Sequence, residues 1–136
     1  HKMGKLGRAL HGRLVDFALD LRPGSTTFGQ IIGYDLPALR DRDYAEWIWI
    51  PPGFAHGTLL PEETVIEYFC TAAWNPAAEA GISPLAPDLD WSLCDPALRA
   101  LYQEIAASGP LLTDKDRNAP TLTEWQADPR AALVTG

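Results

Sequence analysis

The alternation of apolar and polar residues is clearest in the segment RLVDFALDL, at positions 13–21. A period of two residues is typical of a β-strand, because successive side chains point to opposite faces of a sheet. The face with two carboxylates is open to two interpretations: a solvent-exposed outer face, or a barrel strand whose Asp16 points into a polar lumen. One face carries Leu14, Asp16, Ala18 and Asp20. The other face carries Val15, Phe17, Leu19 and Leu21.

Five other short segments have strand character and are separated by turn signals. The turns are marked by Gly12, by Pro23-Gly24 and by Pro51-Pro52-Gly53, residue types that punctuate strands. A polar connection is predicted between the third and fourth strands, at residues 35–44. The predicted strands cover residues 5–10, 27–34, 45–50, 54–60 and 64–71.

The pattern changes to that of one helix near residue 95. Asp95 is placed to cap its first turn, Pro96 is suited to the first helical position, and Gly109-Pro110 ends it. The tail, residues 111–136, has no strong period and is predicted to wrap the surface. Short strands followed by one late helix predict an all-β sandwich or barrel, in one domain covering residues 1–136. The apolar stripe of the helix is Leu98, Leu101, Tyr102 and Ile105.

Composition and charge narrow the classes of partner. The formal net charge is −7 and no run of lysine or arginine is present, which argues against nucleic acid as a partner. No apolar run approaches the length of a membrane span and no signal peptide is recognisable, so no membrane partner is expected. Cys70 and Cys94 are predicted to be free thiols of a cytoplasmic protein.

Candidate chemistry is concentrated between Trp47 and Thr71. This stretch places His56 and Tyr68, two residue types that transfer protons, inside strand-like apolar sequence. No glycine-rich phosphate loop and no cluster with metal-ligand spacing is present, so a bound transition metal is not expected. A structural role is the alternative for each residue: His56 after a turn, and Tyr68 as a packed strand aromatic.

Several motifs occur in the order of a known family. They are the segment around Asp20 to Gly29 (DLRPGSTTFG), then WIPPGFAHG, then EYFCT, then LTDKDRNAPTL. Together they closely resemble the dTDP-4-dehydrorhamnose 3,5-epimerase family, whose members are cupin-type jelly rolls. The resemblance covers nearly the whole chain. It implies a homodimeric epimerase without metal or cofactor, acting on a dTDP-4-keto-6-deoxy sugar by removing a proton next to the C4 ketone and returning one from the opposite face.

The resemblance also implies roles for seven residues. Tyr68 matches the family's tyrosine acid, and Asp116 matches the carboxylate that orients the catalytic base. The structural alternative for Lys5 is a solvated lysine on a strand. For Asp116 it is an aspartate that forms a turn. The implied substrate contacts are Lys5, which also stabilises the enolate, His56 at the sugar, Glu79 and Lys115 at the nucleotide sugar, and, by a looser match, Trp74 near the nucleotide.

One part of the family pattern is absent from the sequence. The family's general base is a histidine in an RGxHxQ-like segment that precedes GKL, whereas His1 matches a non-catalytic position and His11 lies at a turn. We therefore expect further N-terminal strands, with the base, to precede His1 in the natural protein. Two alternatives stay open: a sugar-nucleotide-binding module without catalysis, or a replacement base, for which Asp16 is the candidate. A related cupin ketoisomerase is a further possible activity.

Overall fold

Two three-stranded antiparallel sheets, followed by C-terminal helices, make up the computed structural model, which describes residues 3–134. The first sheet has the strand order β4–β1–β6 and the second has the order β3–β2–β5. The strands are β1 (Lys5–His11), β2 (Arg13–Asp20), β3 (Ile31–Pro37), β4 (Ile48–Ile50), β5 (Phe54–Leu59) and β6 (Val65–Cys70).

The predicted helix is confirmed as α1 (Pro96–Ala107). The carboxylate of Asp95 accepts a hydrogen bond of 2.7 Å from the backbone N–H of Ala97, which is the capping contact expected from the sequence. No helix within residues 3–134 has both the length and the apolar character needed to cross a bilayer. The shorter helical segments are α2 (Asp114–Arg117), α3 (Leu122–Ala127) and two 3₁₀ turns (Pro76–Ala78 and Pro129–Leu133).

Strand β2 is buried on both faces from Leu14 to Asp20. Its even-numbered residues face the first sheet, where Leu14 and Ala18 pack with Ile48 and Ile50. The interpretation of this face as solvent-exposed is therefore wrong, because the first sheet covers it. The odd-numbered residues pack against the helical layer in a second core of Val15, Phe17, Leu19, Leu21, Ile31, Cys94, Leu98, Leu122 and Trp125.

The tail does not simply wrap the surface, as the sequence predicted. Leu122 and Trp125 of α3 are buried in the second core. The helix is held there at its first turn, where the Asp88 carboxylate accepts hydrogen bonds from the backbone N–H groups of Leu122 and Thr123. Two side chains on a six-residue helix produce no visible period, so the prediction missed their burial.

The third strand also differs from its prediction, because β3 begins at Ile31 rather than at residue 27. Residues before it form a turn instead: the hydroxyl of Thr27 donates to the Asp20 carboxylate at 2.6 Å, and the N–H of Gly29 donates to the Asp20 carbonyl at 2.8 Å. Gly29 has φ of +79°, a conformation that side chains disfavour. The same register extends β3 through Pro37, into the segment predicted as a connection.

Asp20 is the centre of a buried hydrogen-bond network at the end of β2. Its side chain is 2% exposed and accepts bonds from Arg22, Ser25 and Thr27 at 2.6–2.9 Å. Burial alone raises the pKa of this carboxyl, but the hydrogen bonds outweigh that effect and hold the pKa well below its usual value. The network fixes the turn that leads from β2 to β3.

Replacing Asp20 by asparagine is expected to lower the free energy of unfolding by about 3 kcal/mol at pH 7, because the network loses its buried charge. The pKa of Asp20 is lower in the folded protein than in the unfolded chain, where it is 3.8. The ionised carboxylate therefore stabilises the fold at pH values above 3.8. That contribution disappears as the pH falls toward the folded pKa. The difference between wild type and Asp20→Asn should therefore shrink as the pH is lowered from neutral into the acid range, as measured by urea denaturation.

Asp35 provides a matched control for this measurement. It makes a bidentate ion pair with Arg13, with N–O distances of 2.8 and 2.9 Å, but both side chains are exposed to solvent. Asp35→Asn should cost less than about 1 kcal/mol, since exposed ion pairs contribute little. Equal losses in the two variants would show that the Asp20 network is not the stabilising element described above.

Candidate active site

A chain of hydrogen bonds between the two sheets links Lys5, His56 and Asp16. Nζ of Lys5 lies 3.1 Å from Nε2 of His56, and Nδ1 of His56 lies 3.2 Å from Oδ1 of Asp16. A lysine ammonium carries only donors, so Nε2 of His56 must accept and Nδ1 must carry the ring proton, which it donates to Asp16. The carboxylate thus fixes the histidine tautomer, and the histidine fixes the position of the lysine.

Three strands bring these residues together. Lys5 opens β1 in the first sheet, whereas Asp16 and His56 lie on the facing side of the second sheet. Gly53, with φ of +95°, makes the turn into β5, and its carbonyl accepts a 3.1 Å hydrogen bond from the N–H of Leu21. This contact sets the register of β5 on β2 and with it the position of His56.

Two cavities meet at this chain. The larger has a volume of about 530 Å³ and extends toward the loop that follows β6 and toward α1 and α2. The smaller has a volume of about 210 Å³ and lies between the two sheets. We call the boundary between them the neck, which is defined by the four residues that line both cavities: Lys5, Ile50, His56 and Thr58.

The smaller cavity contains Tyr68 and Asp16. Tyr68 is paired with Gly7 in the first sheet, two residues from Lys5, so its side chain lies on the same face as Lys5. Tyr68 is 61% exposed and is not a packed core aromatic. The smaller cavity therefore combines the predicted acid with the complete Lys5–His56–Asp16 chain.

The larger cavity contains the other four predicted site residues: Trp74, Glu79, Lys115 and Asp116. Nζ of Lys115 lies 2.6 Å from Oε1 of Glu79, and the indole N–H of Trp74 donates to Oε2 at 3.4 Å. The hydrogen bond from Lys115 lowers the pKa of the Glu79 carboxyl, and the same bond raises the pKa of Lys115. These contacts tie the loop after β6 to α2 across one wall of the cavity.

Asp116 lies on a different side of the neck from Tyr68. Its carboxylate accepts a 2.7 Å hydrogen bond from the hydroxyl of Thr113, and its Oδ1 is 4.0 Å from Nζ of Lys115. Within residues 3–134 it contacts no histidine; His11 instead pairs with Arg40 outside both cavities, and His1 lies outside the described residues.

Sequence reasoning identified Asp16 but did not connect it with His56, and it assigned no function to Thr58. The alternation that places His56 on one face of its strand also places Thr58 there, and the register pairs Thr58 with Asp16. The pattern therefore contained a signal for Thr58. The contact between Asp16 and His56 depends on the pairing of two strands 40 residues apart, which alternation within one strand does not specify.

Comparison with known proteins gives one family across most of the chain. The family model described as dTDP-4-dehydrorhamnose 3,5-epimerase matches residues 1–124. This chain belongs to the dTDP-4-dehydrorhamnose 3,5-epimerase family. A relative with that name from Pseudomonas aeruginosa is 39% identical over 129 residues, which are 93% of this chain and 62% of the relative.

Solved structures of the family confirm the prediction of a cupin-type, mainly-β fold. An epimerase from Legionella pneumophila, solved with dTDP-4-keto-L-rhamnose, matches with a TM-score of 0.71 and 33% identity, over 98% of this chain and 61% of that one. A 3'-monoepimerase from Streptomyces bikiniensis, solved with dTDP-quinovose, matches with a TM-score of 0.70 and 28% identity. The match covers 98% of this chain and 59% of that one. The chain thus spans about three fifths of the length of these family members.

Proposed function

We propose that the protein epimerises a dTDP-4-keto-6-deoxy sugar at C3, C5 or both. One observation carries the proposal: the Lys5–His56–Asp16 chain stands at a neck, with Tyr68 in the cavity on one side and Asp116 in the cavity on the other. Inversion of a carbon requires proton removal from one face and proton return from the other. An arrangement with the proton donor on one side of the site and the carboxylate that orients the base on the other suits that requirement.

Lys5 is the group that stabilises negative charge on the ketone oxygen. Proton removal next to a ketone places charge on that oxygen, and a preorganised ammonium stabilises it more strongly as the charge grows. Both ring nitrogens of His56 are already bonded, one to Lys5 and one to Asp16. We therefore assign His56 and Asp16 to positioning Lys5, in place of a direct contact between His56 and the oxyanion.

Tyr68 supplies the returning proton from the smaller cavity. The base then acts from the side of the larger cavity, where Asp116 is suited to orient it. Asp16 fits less well as a replacement base, because it lines the same cavity as Tyr68 and its Oδ1 accepts from His56. A base on the same side as the acid would return the proton to the face that lost it.

The larger cavity is the site that we propose for the nucleotide. Trp74, which is 70% exposed, offers a flat ring for stacking on a base, and Lys115 offers an ammonium for the diphosphate. The net charge of −7 does not oppose this, since phosphate binding depends on the cations placed at the site.

We also propose that the protein is a homodimer and acts in the cytoplasm. The outer face of the first sheet carries the exposed side chains of Trp49 and Phe69, and the exposed ring of Trp47, just before β4, lies against Phe69. A second copy would remove this surface from water. Cys70 and Cys94 are both free, which suits a reducing compartment. Sedimentation velocity on the complete natural protein tests the dimer, and a monomer throughout the micromolar range would contradict it.

Incubation of the complete natural protein with a dTDP-4-keto-6-deoxyhexose in D₂O tests the proposed reaction. We expect solvent deuterium at C3, C5 or both, detected as the loss of the corresponding proton signals by NMR, because each inversion passes through a deprotonated carbon. Binding without any exchange would show a sugar-nucleotide-binding module instead. A product with its ketone moved from C4 to C3 would show a ketoisomerase.

A further inference from the structure

Thr58 lies at the neck without an assigned role. It is two residues beyond His56 on β5 and is paired with Asp16 of β2, so its side chain lies on the face that carries both of those residues. Although this face points toward the first sheet, Thr58 is exposed. Its side chain lines both cavities.

The hydroxyl of Thr58 has no hydrogen-bond partner among residues 3–134. Most other described threonine hydroxyls are bonded, such as Thr27 to Asp20, Thr64 to the carbonyl of Arg13, and Thr71 to the N–H of Gly4. A hydroxyl both donates and accepts, whereas the ammonium of Lys5 only donates. Thr58 is therefore the neck residue that is free both to donate to and to accept from a hydroxyl group of a bound molecule.

The neck has a second uncharged wall of opposite character. Ile50 of β4 is paired with Lys5 and is 5% exposed. A ketone oxygen bound at Lys5 would thus lie at a neck lined by both a hydroxyl-bearing side chain and a wholly apolar one. Such a pair of walls distinguishes two substituents that differ in polarity.

The two carbons beside the ketone of a 4-keto-6-deoxyhexose differ in that way. C3 carries a hydroxyl group, whereas C5 carries a methyl group and the ring oxygen. We propose that Thr58 hydrogen-bonds the C3 hydroxyl group while Ile50 contacts the C5 methyl group, so that Thr58 orients the sugar for proton exchange at C3. This inference rests on the proposed function and adds to it a determinant of which carbon exchanges.

Removal of the Thr58 hydroxyl with its shape preserved tests the inference. We expect Thr58→Val, in the complete natural protein, to slow deuterium incorporation at C3 by about five- to tenfold, the effect of one uncharged hydrogen bond. Incorporation at C5, where it occurs, should change less than about twofold. Thr58→Ser, which retains the hydroxyl, should keep the C3 rate near that of wild type, a rescue that a packing role of the methyl group would not give.

Thr26 provides the control. It is exposed, lies outside both cavities, and its hydroxyl also lacks a partner within residues 3–134, so Thr26→Val should match wild type. If wild type exchanges deuterium and the C3 rate of Thr58→Val is unchanged, this inference alone is overturned. Equal slowing at C3 and C5, or exchange at C5 only, would also overturn it. No exchange by wild type would overturn the proposed function and this inference with it.

Discussion

Tyr68→Phe is expected to lower the turnover of a dTDP-4-keto-6-deoxyhexose by about 10²- to 10⁴-fold, the contribution typical of a general acid. The substitution removes only the hydroxyl that we propose returns the proton. The ring stays in the smaller cavity, and because the tyrosine is 61% exposed, little packing depends on its oxygen. NMR of the product sugar measures the rate, and thermal unfolding should show no loss of stability.

Tyr44→Phe is the matched control for this variant. Tyr44 is also an exposed tyrosine, but it lies in the connection before β4 and lines neither cavity. Its replacement should leave turnover unchanged. Deuterium uptake gives a second readout, since Tyr68→Phe should still lose protons to the base while forming less inverted product. Turnover by Tyr68→Phe equal to that of Tyr44→Phe would remove Tyr68 as the acid.

Lys5→Met is expected to lower kcat by about 10²- to 10³-fold, which is the cost of losing one preorganised donor at a developing oxyanion. Methionine keeps an unbranched chain but has no charge. The loss should appear in kcat rather than in KM, because the interaction strengthens as the oxygen becomes negative. Deuterium uptake at C3 and C5 should fall in parallel, since both carbons share the same ketone.

Lys115→Met gives the informative contrast. Lys115 lines the larger cavity, where we place the diphosphate; it pairs with Glu79 and is not one of the four neck residues. Its loss should raise KM and leave kcat within a few-fold of wild type, the sign of a contact made equally in the ground and transition states. If both variants changed KM alone, Lys5 would be a binding residue and the oxyanion role would be wrong.

Local patterns in the sequence predicted much of the fold. The alternation from Arg13 to Leu21 correctly indicated a strand, and Asp95-Pro96 correctly indicated the start of α1. The sequence did not reveal what packs against each strand and helix. An alternating strand has the same pattern whether its polar face meets water or a facing sheet, so alternation alone does not decide whether Asp16 and Asp20 are buried.

The site shows the same division between local and long-range information. The positions of His56 and Thr58 on one strand face follow from alternation. Their relation to Asp16 and Lys5 depends on strand pairing and on how two sheets face each other, which come from distant parts of the chain. The placement of Tyr68 and Asp116 in two different cavities was likewise invisible in the sequence, although our proposal of exchange at two faces of one carbon depends on it.

A crystal structure of the Tyr68→Phe variant of the complete natural protein with a dTDP-4-keto-6-deoxyhexose tests the central claim most directly. We expect the ketone oxygen to lie within about 2.7–3.1 Å of Nζ of Lys5, the range for a donor at a developing oxyanion. The phenyl ring that the substitution leaves at this position should face one side of the sugar, and the nucleotide should lie in the larger cavity. A sugar bound away from the neck, with Lys5 still bonded only to His56, would contradict this claim.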